Sequence, residues 1–595
     1  MKKALLVAAV VFFLLYPFLV SAYLIDVAFF FGIYALLGLS LNLVLGEVGL
    51  FDLGHAAFYA VGAYATAILN VRFGIPVIYL IPVSALASAI FAYLVVSPII
   101  HLRGDYLCVV TIGIGEIVRL ALINNPFEIT GGPNGITGVS MPALGPFVIS
   151  SPRGYYFYVW IVIAISIAAL VRLQSSRLGR AWNCVREDEI AAESSGIDVR
   201  HYKLLAFVLG AALAGVAGNI YASKIMVVSP ESFTFMESSL LFCIVLLGGL
   251  GSIPGTIAGA GIVSVFPEIF RAVANFRMLF FGAALVAMMI LRPGGIWPRK
   301  REGAGFGPSF LDIGAAAVDA GRSGPSLELK PRWNEHSPAE GDEVLRVENL
   351  TMRFGGLVAV RDFHMTVKRK ETTSLIGPNG AGKTTVFNTV TGVHKPTKGR
   401  VLFLGGDVTG LKPHSITNLG IARTFQNIRL FPNLTCMENV MAGSHCCGKS
   451  GVWSSLWRTP EERQEEAELL KKAAYRLNQV GLWPHRGDLA KSLPYGKQKW
   501  LEIARALASD PLLLILDEPS SGLNDKETEE LMDFLKKLTK DEGLTLLLIE
   551  HDMNVVMGIS DKVVVMDMGV KIAEGLPREI YNNPRVIEAY LGKDE

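Results

Sequence analysis

The chain has 595 residues, 51 % of them hydrophobic, and a formal net charge of +2 at pH 7. That length holds roughly two to four domains, and so small a charge gives no ground for a nucleic-acid or strongly acidic partner. The apolar residues are unevenly spread: residues 1–298 run in Leu, Val, Ile, Phe, Ala and Gly, whereas 344–595 carry the Lys, Arg, Asp and Glu of a soluble α/β domain.

A membrane span needs about 20 apolar residues. Segments 5–22, 24–45, 50–70, 76–100, 106–124, 155–172, 203–222, 236–250, 253–271 and 277–291 are candidates, about ten in all. Met1-Lys2-Lys3 and the run to Val20 have the form of a secretory leader, but the spans that follow favour an uncleaved first helix. Ten spans starting inside place Lys2, Lys3, Arg103, Arg172, Arg177, Arg180, Arg186, Arg200, Lys203, Arg292, Arg299, Lys300 and Arg301 in the cytoplasm. Only Arg72, Arg153, Lys224, Arg271 and Arg277 fall outside, as the positive-inside rule asks.

Within the spans, Glu116 and Arg119 stand at helical spacing, either as a structural ion pair or as part of a pathway. The stretches Gly46–Gly62 and Gly248–Gly255 serve either close helix packing or exposure of backbone groups to a polar solute. Thr130–Gly135 reads as a turn-rich external loop. Residues 177–196, between two spans, form an amphipathic cytoplasmic loop with a short helix that Gly196 stops. It is either a surface helix or a lever; a downstream ATPase favours the lever.

Residues 299–343 lack periodicity and read as a flexible tether. Beyond it, Ser374-Leu375-Ile376 reads as a strand entering Gly377-Pro378-Asn379-Gly380-Ala381-Gly382-Lys383-Thr384, followed by a helix that includes Thr385. This is a phosphate-binding loop in its required context: glycines turn N–H groups onto phosphate, Lys383 adds charge and Thr384 a hydroxyl for Mg²⁺. Leu512–Leu516 reads as a buried strand ending in Asp517, suited to Mg²⁺, and Glu518, suited to polarising a water. ATP and Mg²⁺ are therefore the expected cofactors. The cysteines Cys108, Cys184, Cys243, Cys436, Cys446 and Cys447 show no metal-ligand spacing and read as reduced thiols.

Residues 344–595 resemble the ATPase subunits of ATP-binding-cassette transporters. The resemblance implies that Phe354 stacks on adenine, that Gln426 senses Mg²⁺ and contacts the membrane domain, and that His551 touches the γ-phosphate. Leu493-Pro494-Tyr495-Gly496-Lys497-Gln498 stands where the signature motif belongs, before a helix at Trp500–Ala508, and Ser521-Gly522-Leu523-Asn524 matches the D-loop. Pro494 replaces the usual serine, leaving the N–H groups of Tyr495 and Gly496; Lys497 points to phosphate or faces solvent. Such a motif acts on nucleotide held by a partner, so a second ATPase domain is implied.

The membrane half resembles the permeases of branched-chain amino acid importers, at Leu102–Leu107, Gly115–Arg119, Ile129–Gly135, Arg186–Glu189, Ser229–Phe233 and Gly248–Ser252. The ATPase half resembles that system's ATPase at Arg353–Leu357, Thr424–Gln426 and Leu523–Thr528. The resemblance implies a permease domain (1–298), linker (299–343) and ATPase domain (344–595) in one multi-pass chain of a bacterial inner membrane, with the ATPase cytoplasmic. It implies a second permease, a second ATPase and an extracytoplasmic solute-binding protein as partners. Arg186, Glu189 and Gly196 would belong to a coupling helix seated in a groove by Gln426. Relatives carrying urea or short amides supply the alternative cargo; an ATP-gated signalling or scaffolding assembly is the alternative of another class. An exporter is disfavoured by the coupling loop.

Overall fold

The computed structural model describes residues 13–102, 104–269, 277–292, 294–299 and 342–591. These fall into two units, one within 1–174 and 200–300, the other within 175–199 and 301–595. The tether expected over 299–343 lies outside the described residues except for Arg299, Asp342 and Glu343.

The first unit is helical. Among the described residues six helices are long and apolar enough to span a membrane, where about ten were expected: Ala22–Val48, Val77–Val96, Asp105–Ile123, Pro152–Gln174, Val199–Ile225 and Pro230–Gly248. Residues 5–12 of the 5–22 candidate lie outside the described residues. Of the other three, 50–70 and 253–271 become the helices Ala56–Phe73 and Ile253–Ile269, and 277–291 is a helix with the expected bounds, Arg277–Leu291. Glycine sets the breaks in two places. A turn of π-helix over Leu43–Val48 stops at Gly49, and Gly249 and Gly251, both at positive φ, separate Phe235–Gly248 from Ile253–Ile269.

Backbone freed at the first break is satisfied by buried side chains, as an apolar surrounding demands. Asp52 accepts the Gly54 N–H at 3.0 Å and lies 2.8 Å from Nδ1 of His55, whose Nε2 is 2.6 Å from the Ser40 hydroxyl. The Ser238 hydroxyl accepts the Ala56 N–H at 3.0 Å. The glycines serve close approach: a Cβ at Gly62 would lie 2.5 Å from the Gly215 carbonyl oxygen. Arg119 pairs with Glu116 at 2.9 Å and reaches Glu231 at 3.5 Å. The Thr130–Gly135 loop is a turn tied by Asn125 to the Thr130 and Gly131 N–H groups, leading into a short strand, Ile136–Thr137, paired with Val227–Val228.

The second unit is α/β. Strands β1 (Glu343–Phe354), β2 (Leu357–Lys368), β4 (Lys398–Phe403) and β5 (Gly406–Asp407) make an antiparallel sheet. Strands β6 (Ile421–Arg423), β7 (Leu513–Asp517), β8 (Thr545–Ile549), β3 (Thr372–Ile376) and β9 (Lys562–Asp567) lie parallel in that order, with β10 (Val570–Gly575) antiparallel at the edge. Every residue of β3, β7 and β8 is buried, which is why these strands read as continuous apolar or small runs rather than alternating ones. A separate helical core joins Cys436–Gly443, Pro460–Gln479 and Tyr495–Leu507.

Candidate active site

Parallel strands deliver their C-terminal ends to one edge of the sheet, the place where open α/β folds bind ligands. β3 ends at Ile376 just before Gly377, β7 at Asp517, β8 at Ile549 just before Glu550 and His551, and β6 at Arg423 just before Gln426. Pairing of Asp517 with Ile549, and of Ile549 with Leu375, sets these ends in register.

The loop from Gly377 to Gly382 turns through residues that side chains would block. Gly382 has φ +100°, and a Cβ there would lie 2.7 Å from the Ala359 carbonyl oxygen. Pro378, Asn379, Gly380 and Ala381 complete the turn, and the helix Lys383–Val390 begins at once, with the Thr384 side exposed and Thr385 half-buried. Lys383 Nζ donates to the carbonyl oxygens of Gly377 at 2.5 Å and Pro378 at 3.0 Å, curled over the loop. Burial pulls its ammonium down, against the carboxylates of Glu518 and Asp517.

Asp517 is buried and accepts from Arg423 at 3.2 Å through Oδ2, while its buried Oδ1 has no hydrogen-bond partner among the described residues. Burial pushes its carboxyl up against the opposing charge of Arg423. Glu518 follows with a left-handed backbone, φ +47°, uncommon for a residue with a side chain. Its Oε2 accepts from Gln426 Nε2 at 3.1 Å and lies 3.8 Å from His551 Nδ1. Lys383, Asp517, Glu518, Gln426 and His551 are thus brought together. Phe354 stands half-exposed at the end of β1, edge-on to His394 with ring centroids 5.4 Å apart.

Three supporting residues have no sequence signal of their own. Arg423 also donates to Asn388 at 2.7 Å and Thr391 at 2.9 Å. Buried Lys499 donates to the Glu518 carbonyl at 2.7 Å. Buried Glu550 accepts the N–H groups of Ser520 at 2.9 Å and His551 at 3.2 Å. A buried arginine or lysine demands an acceptor, but the acceptor lies far along the chain.

The signature helix starts earlier than expected, at Tyr495 instead of Trp500. Pro494 is its N-cap, with extended backbone and no side-chain cap; the fixed ring suits the entry but supplies no acceptor. Gly496 accommodates Glu527, whose Oε1 would lie 2.8 Å from a Cβ there, and the Tyr495 ring packs on Gly522. Lys497 is exposed, as its solvent-facing reading expects; its Nζ lies 2.8 Å from His485 Nε2, and His485 Nδ1 lies 2.8 Å from Asp488.

Residues 175–199 fold within this same unit. Helix Arg177–Glu187 ends at Asp188, which caps the short helix Glu189–Ser194 by accepting the Ile190 and Ala191 N–H groups. Arg180 makes a two-pronged pair with Glu466 at 2.7 and 2.6 Å. Asp188 accepts from Arg429 at 2.8 Å, and Glu187 accepts from Asn433 at 2.9 Å. Gly196, φ +83°, sits on Cys446, whose Cβ would be 2.9 Å from an added one. Arg186 lies 3.8 Å from Glu187, and Glu189 is half-buried in the first turn of its helix. Arg180, Glu187 and Asp188 thus join Gly196 in holding the segment to the rest of the unit.

Comparison with known proteins bears on both units. The family "Branched-chain amino acid transport system / permease component" matches residues 23–291, "ABC transporter" matches 360–521, and "Branched-chain amino acid ATP-binding cassette transporter" matches 570–595. The high-affinity branched-chain amino acid transport ATP-binding protein LivG of Salmonella typhimurium is 47 % identical over 250 residues, 42 % of this chain and 98 % of the relative. The permease protein LivM of the Escherichia coli system is 41 % identical over 323 residues, 50 % of this chain and 76 % of the relative. The chain belongs to the branched-chain amino acid ABC transporter family. It joins in one polypeptide what those two family members carry separately, and its activity is ATP hydrolysis coupled to transport. A crystal structure of a nucleotide-free ATP-binding cassette from an ABC transporter is 32 % identical, covered fully by 42 % of this chain, with a TM-score of 0.37.

Proposed function

We propose that the chain is the fused permease and ATPase of an importer for branched-chain and other hydrophobic amino acids, handed over by an extracytoplasmic solute-binding protein. The observation that carries this is the seating of residues 175–199, which join two spans, inside the ATP-hydrolysing unit. Domains at 1–298 and 344–595 around a 299–343 linker, a bacterial inner membrane and a cytoplasmic ATPase complete the reading. A second permease and a second ATPase domain, from another copy or other chains, close the composite site with Tyr495 and Gly496. The relatives reported above give no support to urea or short amides.

In this reading the N–H groups of Gly377–Lys383 and the Lys383 ammonium hold the phosphates, Phe354 stacks on the base, and His551 reaches the γ-phosphate. Glu518 takes the proton of the attacking water; Gln426 and Lys499 hold its carboxylate and its backbone. The partnerless buried Oδ1 of Asp517, with the Thr384 hydroxyl and Gln426 amide, makes an oxygen donor set suited to Mg²⁺. Bound there, the ion neutralises phosphate charge.

Uptake of labelled leucine into vesicles holding the full chain, its partners and ATP tests this. Glu518→Gln is expected to slow hydrolysis by about two to four orders of magnitude with ATP affinity kept. Undiminished hydrolysis removes Glu518 from its role; hydrolysis without uptake of any hydrophobic amino acid removes the cargo.

A further inference from the structure

In the second unit, the short helix Val452–Trp457 turns Ser455 inward and presents two tryptophans at i, i+4 to solvent. Trp453 is 73 % and Trp457 69 % exposed, whereas among the described residues of this unit Trp182 is buried and Trp483 and Trp500 are half-buried. Two such rings side by side on a water-facing surface are costly, since each buries a large apolar area when covered.

What lies next to this helix is fixed by hydrogen bonds on both of its flanks. Before it, the Ser450 carbonyl accepts from Arg177 at 3.3 Å. After it, Arg458 donates to the Ser175 hydroxyl at 2.5 Å. Helix Arg177–Glu187 also packs directly on it. Ser175 is the residue after Gln174, the last of the 23-residue span Pro152–Gln174. That span is about 34 Å long against roughly 30 Å of hydrocarbon, so its last residues lie among headgroups. The other end of the segment, Val199, opens the next span. The tryptophan helix is therefore pinned within a few residues of where the chain leaves the lipid.

We propose that Trp453 and Trp457 insert into the headgroup–acyl boundary of the bilayer, making the helix an interfacial foot of the ATPase unit. Indole rings prefer this zone because one end is apolar and the N–H stays wet. Exposed Lys449 and Arg458 flank the helix at the height where basic side chains reach phosphate. The foot fixes the depth at which the ATPase unit, with the inter-span segment seated in it, meets the bilayer, and it depends on the chain being membrane-spanning, not on its cargo.

The test uses the full chain in nanodiscs of phosphatidylcholine brominated near the ester or near the methyl end of the acyl chain. The chain has eight tryptophans, so the Trp453→Phe/Trp457→Phe variant supplies the blank, and the difference in emission belongs to the pair. Quenching of that difference by about half or more, stronger with bromine near the ester, is the expected result. Quenching below about a tenth at both depths overturns the proposal, whether iodide then finds the pair in water or finds it covered by a protein surface.

Discussion

At Cys447 the environment decides the chemistry of a single atom. Its sulfur lies 3.8 Å from that of Cys446 and 3.2 Å from Nζ of Lys472, which also pairs with Asp510. The hydrogen bond from Cys446, then the Lys472 charge, outweigh burial and draw the thiol down to about 6. The folded state thus holds a thiolate that the unfolded chain does not. Its contribution to stability is whole above the ordinary thiol range and fades as pH falls through about 6. Alkylation by iodoacetamide, followed by peptide mass, should be half-maximal near that pH, and Cys446→Ala should shift it upward by at least about one unit. A reaction that begins only in the ordinary thiol range would refute the assignment. Neighbouring cysteines in sequence gave no hint of this, because Lys472 arrives from a different helix. The same holds for Arg423 and Lys499 at the ATP site. Lys383, Asp517, Glu518 and His551 were legible because each belongs to a local motif; their supports were not, because burial and long-range pairing leave no local spacing.

At the scale of elements, the inter-span segment is where sequence and structure part. Amphipathicity and Gly196 disclosed a helix and its stop, but a pattern shows which positions are polar without showing which polar side chain finds a partner. The Arg180–Glu466 pair is nearly buried, with side chains 12 % and 9 % exposed. Removing one member leaves an uncompensated charge at a cost of about 3–5 kcal/mol, whereas exchanging both for apolar residues is far milder. Arg180→Ala should therefore cut uptake about tenfold or more while hydrolysis stays within about twofold, and Arg180→Met/Glu466→Leu should recover most of the loss. Uptake and hydrolysis measured on the same vesicles decide this, and parallel loss of both would mean that the segment serves stability alone. Charge reversal at Arg186 or Glu189, measured alongside, should likewise uncouple hydrolysis from uptake. The signature helix shows the converse: Pro494 at its N-cap lets it open at Tyr495, earlier than the expected Trp500.

For the whole molecule, two architectures on one chain were plain from composition and from the phosphate loop, but the number of spans was not. Glycine-broken segments such as 236–263 score as apolar runs whether they cross the bilayer or turn within it. Assembly can be read by counting. One phosphate loop and one signature motif per chain make a complete site only with a partner, and if that partner is a second copy both sites are shared. Mixing wild type with an equal amount of Glu518→Gln before reconstitution should then lower turnover to about a quarter if both sites must fire, and to about half if they act alone. A fall only to about half, the mean of the two proteins assayed separately, is also the result if the second ATPase domain lies on another chain, so the fall to about a quarter is what identifies a second copy.

The segment that seats the ATPase unit also sets a timetable. Trp182 has no exposed surface, packed in a helix that leans on Cys436–Gly443 and Val452–Trp457. During synthesis that tryptophan leaves the ribosome some 250 residues before those helices do, a wait of roughly 12–50 s at ordinary elongation rates. Through that interval a newborn chain carries the apolar face of this helix uncovered, and an ATPase domain on a neighbouring chain whose own segment is not yet seated offers it the same site. Biogenesis of a fused transporter of this kind is thus a race between the domain being translated and the one already waiting next door.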